Sequence, residues 1–72
     1  MNDTLIIQFN SQEAVLKKAD GTFVRRFTPR RYGATIVQAT VSNAGDDSMV
    51  TVNYADGHAD IYYWHGALYR SL

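Results

Sequence analysis

The chain contains no cysteine. Disulfides and thiolate metal sites are therefore excluded, and nothing covalent staples a domain of 72 residues. Long apolar runs are also missing. Leu5-Ile6-Ile7 is far too short for a signal-peptide core or a membrane span, so the expectation is a cytoplasmic protein with no membrane partner. There is no P-loop, no Gly-x-Ser-x-Gly and no His-Glu-x-x-His. No linker, low-complexity run or internal repeat divides the chain. Net charge is zero, whereas a protein binding nucleic acid mainly by charge is usually basic overall.

A chain this short forms one domain, residues 1–72. It buries only about 60% of its unfolded surface, so its core is marginal. Small unstapled domains often gain stability from a partner or from self-association, and a homodimer is the expectation here.

The pattern that is present is β. Residues 48–64 read as a hairpin closed at Asp56-Gly57, because a tight turn needs positive φ and glycine supplies it. A two-residue turn pairs Ala55 with His58. It puts Val50, Val52, Tyr54, Ala59, Ile61 and Tyr63 on one face, and Met49, Thr51, Asn53, Asp60, Tyr62 and Trp64 on the other. A bulged turn pairing Tyr54 with His58 would mix Asp60 with the valines, so the first register is preferred.

The remaining segments fall in line. Residues 4–9 form a strand with Leu5, Ile7 and Phe9 on one face. Residues 13–18 read as a strand that turns through Ala19-Asp20-Gly21 onto residues 22–27, pairing Lys18 with Thr22 and Leu16 with Val24. The rival is a short helix at about 11–19, with Asn10 and Glu13 as a capping-box-like pair, which would make the fold α+β. Pro29 holds Thr28 extended in a loop that ends at Gly33. Residues 35–43 form a strand with Val37, Ala39 and Val41 on one face. An acidic turn, Ala44-Gly45-Asp46-Asp47, leads into the hairpin. His65-Gly66 reads as another two-residue turn, pairing Trp64 with Ala67, Tyr63 with Leu68 and Tyr62 with Tyr69. Six or seven short strands at this spacing predict an all-β fold: a small antiparallel meander curled into an SH3-like or partly open barrel.

Two surfaces stand out. In these registers Tyr62, Trp64 and Tyr69 share the face opposite the aliphatic one, an amphipathic patch of the kind that anchors interfaces. The competing reading makes Trp64 a cover for the core. Lys17, Lys18, Arg25, Arg26, Arg30 and Arg31 crowd into residues 17–31 against Asp20 alone, while acids prevail on either side. Such a dipolar chain suits a directional, complementary partner. The expected function is a non-enzymatic protein-binding module using Tyr62, Trp64, Tyr69, Arg30 and Arg31, such as an accessory or inhibitory protein of a phage or mobile element. The alternative is a nucleic-acid-binding barrel using Arg25, Arg26, Arg30, Arg31 and Tyr32, since guanidinium groups beside aromatics suit phosphates and stacked bases. The bland reading of the arginines is a solvated edge whose charge blunts strand-to-strand aggregation.

His58 and His65 lie at or beside turns, near Asp56 and Asp60, and only His58 with Asp60 has ligand-like spacing. Turn histidines are most often solvated, so no catalytic residue, metal or cofactor is expected. Arg26 to Arg30 fits Arg-x-x-x-Arg, and Thr40 to Gly45 approximates Asp/Asn-x-Ser-x-x-Gly. In these two stretches the chain resembles cyclic-dinucleotide-binding PilZ domains. It departs from them at Thr40, where the family has an acid or amide, and in the short spacing between the halves. Those departures leave the family outside the expectations above.

Overall fold

The computed structural model of the chain describes residues 3–72. The strands are β1 (Leu5–Phe9), β2 (Ala14–Lys18), β3 (Phe23–Phe27), β4 (Ile36–Val41), β5 (Met49–Tyr54), β6 (Ala59–Tyr63) and β7 (Leu68–Ser71). One 3₁₀ turn, Gly45–Asp47, precedes β5. The fold is all-β, and residues 14–18 are strand, so the short helix at 11–19 is not formed. The meander is split into two antiparallel sheets, β1-β2-β3 and β4-β5-β6-β7.

Three hairpins close by one geometry. Lys18 N–H donates to Thr22 C=O at 2.8 Å, Tyr54 N–H to His58 C=O at 2.9 Å, and Tyr63 N–H to Ala67 C=O at 2.8 Å. In each, a glycine at positive φ (Gly21, Gly57 and Gly66) donates back to the first of these residues. This is a type I turn followed by a glycine bulge. The expectation held at residues 19–21. The two-residue turns expected at Asp56-Gly57 and His65-Gly66 are overturned. A tight type I′ turn needs positive φ at both central residues, and no described residue other than glycine adopts it. The aspartates also favour the longer loop: Asp56 Oδ1 accepts from His58 N–H at 3.0 Å, as Asp20 Oδ1 does from Thr22 N–H at 2.9 Å.

The longer turn shifts every side chain of β6 to the other face. Val50 pairs with Tyr62, Val52 with Asp60, and Met49 with Tyr63. Tyr62 and Asp60 therefore point into the core, while Ile61 and Tyr63 point outward. Bulges correct three further pairings. Leu16 faces Arg25 rather than Val24. The irregularity between Ile36 and Gln38 turns Ile36 inward and leaves Val37 exposed. Tyr62 pairs with Leu68, and Tyr69 falls in the break between that pair and Ile61–Arg70.

The two sheets share one core. Leu5, Ala14, Leu16 and Phe27 from the first pack with Ile36, Ala39, Val50, Val52, Tyr54 and Tyr62 from the second. Phe9, expected beside Leu5 and Ile7, is exposed at the end of β1. Phe27 and Tyr62 meet across the layers with ring centroids 4.8 Å apart. One side of the layers is joined: Asn43 accepts from Leu5 N–H at 2.6 Å and donates to Leu5 C=O at 3.2 Å, tying β1 beside β4. On the other side no ladder joins β3 to β7.

Candidate functional site: an aromatic strip and a basic seam

The register decides where each candidate residue lies. Tyr62 is only 7% exposed and belongs to the core, so it does not share a surface with Trp64 and Tyr69. Trp64 is half-buried against the core, and its indole Nε1–H donates to Asp46 C=O at 3.1 Å. Its backbone N–H donates to Ser48 C=O at 3.0 Å. The indole thus latches the β6–β7 turn onto the 3₁₀ turn. Tyr69 is 52% exposed.

The residue that sequence reasoning missed is Tyr63. Its ring stacks on His65 at 5.4 Å and meets Tyr69 edge-on at 5.6 Å. His65 in turn meets Trp64 edge-on at 5.6 Å. Tyr63, His65 and Tyr69 therefore form one continuous strip on the outside of the second sheet, and Trp64, packed on the core, borders it through His65. The bulged turn was the signal: it exchanges Tyr62 for Tyr63 on the outer face.

Behind Tyr62 lies a buried polar chain. Asp60, 7% exposed, accepts from Tyr54 Oη–H at 2.8 Å and from Ser71 Oγ–H at 2.7 Å. Arg30 Nη1–H donates to Ser71 Oγ at 3.1 Å. These bonds let a carboxylate stand among valines, since a buried charge is tolerated when its oxygens are hydrogen-bonded. Burial first, and Asp60 second, raise the Tyr54 and Tyr62 phenols above their ordinary value.

The arginines do not form one patch. Arg26 lies on the outer face of the first sheet, paired with Glu13 at 2.6 Å and set against the Phe23 ring at 5.9 Å. Arg31 pairs with Asp56 at 2.8 Å, at the β5–β6 turn. That is the end of the β5–β6 ladder opposite His65. Tyr32 is fully exposed and stands apart from the strip. Arg25 and Arg30 remain, and among the described residues neither makes an ion pair. Arg25 lies on the core side of β3, opposite Leu16, and its side chain rests against the α-carbon of Gly66.

The histidines are occupied by structure. His58 Nδ1 is 3.1 Å from Leu72 C=O, and His65 lies between Tyr63 and Trp64. Among the described residues no group of three or more His, Cys, Asp or Glu side chains is placed to hold a metal ion. Ser42, part of the PilZ-like stretch, has its hydroxyl bonded to the Met49 backbone at 3.0 Å. No described helix is long and apolar enough to cross a membrane.

Fold and surface define a small all-β domain of two packed antiparallel sheets. No protein-family model, no curated protein and no solved structure matches the chain.

Proposed function

We propose that the chain is a non-enzymatic protein-binding module whose contact surface is the strip Tyr63, His65 and Tyr69, bordered by Trp64. The observation that carries this reading is Tyr69. Its ring is held by Tyr63, yet it stays more than half exposed. An aromatic ring already ordered by a neighbour loses little freedom on binding, and aromatic anchors dominate interface energetics. This surface keeps Tyr69 and, at its border, Trp64 from the sequence expectation and replaces Tyr62 with Tyr63. Arg30 and Arg31 sit away from it and act on encounter rate rather than contact. The exposed edge strand β7 is the element that favours self-association.

The nucleic-acid reading is less well supported. Two of its four arginines, Arg26 and Arg31, already neutralise carboxylates within the chain. A phosphate backbone would have to displace Glu13 and Asp56 to use them.

The test is capture of a protein from cell lysate. Capture should survive nuclease and salt of about 0.5 M, where exposed charges are screened beyond a few ångströms. Tyr69→Ala should weaken it by about thirtyfold, corresponding to roughly 2 kcal/mol for an anchor residue, with the fold unchanged by circular dichroism. Capture that vanishes with nuclease, or that falls steeply with salt, would favour the basic segment instead.

A further inference from the structure

We infer that the open edge of β3 takes an extended, acidic segment of a partner protein as an added strand. This is a second binding surface, separate from the aromatic strip. β3 is outermost in its sheet and pairs only with β2. Beside it lies a slot of about 300 Å³. Residues 25–28 of the β3 edge line it together with Gly66 and Leu68 of the second sheet and with Tyr62. Tyr62 rests on Phe27, so the base is aromatic and firm.

An unpaired strand edge offers alternating N–H and C=O groups to any extended chain. The charge at this edge selects which chain. Arg25 and Arg30 both line the slot, and among the described residues neither makes a direct ion pair, although Arg30 reaches the Asp60 carboxylate through the Ser71 hydroxyl. Arg25 lies against Gly66, and Arg30 donates to Ser71. Two exposed guanidinium groups beside an open backbone suit glutamate or aspartate side chains, which accept charge-assisted, bidentate bonds. A second copy of this chain pairing β3 against β3 would set arginines against arginines, and like charges across strands repel. The arginines that protect the edge from self-pairing therefore admit an acidic strand.

The probe is a fluorescent peptide of about ten residues, a length that fills a strand with overhang, with glutamate alternating with valine. Its counterpart carries lysine in place of glutamate, and a fluorescent oligothymidylate of similar length serves as a third ligand. Fluorescence anisotropy should show binding of the acidic peptide and none of the basic one. Arg25→Gln combined with Arg30→Gln should weaken binding at least about tenfold, the loss expected for charge-assisted bonds. Amide hydrogen exchange on the wild-type protein should slow in residues 23–28 when the acidic peptide is added, whereas Tyr69→Ala should bind it as the parent does. The exchange map carries the test alone if the double variant fails to fold. Failure of the acidic peptide to bind would overturn the inference, as would protection that appears elsewhere but not in β3. Oligothymidylate slowing the same amides while the acidic peptide does not would make the slot a phosphate groove instead.

Discussion

Gly57 and Gly66 occupy equivalent turn positions, at φ +90° and +105°, but their surroundings differ. A Cβ on Gly57 would meet nothing within 4 Å, so only backbone strain opposes substitution. Gly57→Val should cost about 1 kcal/mol or somewhat more. A Cβ on Gly66 would lie 2.8 Å from the Arg25 guanidinium. That group ends a flexible, exposed side chain that can swing aside, so Gly66→Ala should cost only slightly more than Gly57→Ala in urea denaturation, and that small excess should disappear in an Arg25→Ala background. Equal costs in both backgrounds would mean that Arg25 does not rest there. Trp64 combines a half-buried ring with an indole hydrogen bond to Asp46 C=O, so Trp64→Ala should destabilise the fold by roughly 2–3 kcal/mol, toward the lower end for large aromatic deletions. That outcome departs from the sequence expectation, in which Trp64 was a surface anchor dispensable to folding. A midpoint within a few tenths of a molar of the parent would restore the surface reading.

No ladder joins β1 to β4: Ile36 N–H at the start of β4 donates to Ser11 C=O at 3.0 Å, and Asn43, just past its end, ties to Leu5 through its side chain. Asn43 makes both of its bonds to the Leu5 backbone, and this contact joins one sheet to the other. Asn43→Ala should cost about 1–2 kcal/mol, since two hydrogen bonds are lost and Leu5 is left partly unsatisfied. Hydrogen exchange at Leu5 should quicken more than exchange in β5. If both rise equally, the loss is global and Asn43 is not a local tie. β6 owes its orientation to the turn that precedes it. One added residue in the loop exchanged Tyr62 for Tyr63 and Ile61 for Asp60, which is why β6 reads correctly as a strand and wrongly as a face.

The molecule should lose stability at both extremes of pH, for different reasons. The His58 N–H bonded to Asp56, with help from Arg31, holds that carboxyl below its ordinary 3.8, and the bonds from Thr22 do the same for Asp20. A lowered folded pKa contributes stability that is present above the ordinary value and lost as pH falls through the folded one. Unfolding by acid should therefore steepen below 3.8, and Asp56→Asn should flatten it. Burial raises the phenols of Tyr54 and Tyr62 above 10.0, so their contribution is complete below that pH and lost as pH rises past it. Tyr54→Phe should remove part of the alkaline loss in a melting series. An alkaline limb unchanged by Tyr54→Phe would mean that this phenol does not govern it.

Most strand positions and the all-β class were legible locally, while the count stood at six or seven and residues 13–18 kept a helical rival. Apolar runs, three glycine turns and one proline loop specify them without reference to the rest of the chain. Facing was not determined locally, because it depends on one residue more or less in a turn or strand. The bulges opposite Leu16, at Val37 and at Tyr69 have no mark in the sequence that alternation detects. Asp60 shows the reason most clearly. Polarity alone sends an aspartate outward, and that argument chose the wrong register. Its interior place depends on Tyr54 and on Ser71, a residue two strands removed from Tyr54 in the sheet. Only the packed structure brings those hydroxyls together at the carboxylate, where hydrogen bonds let a buried charge stand.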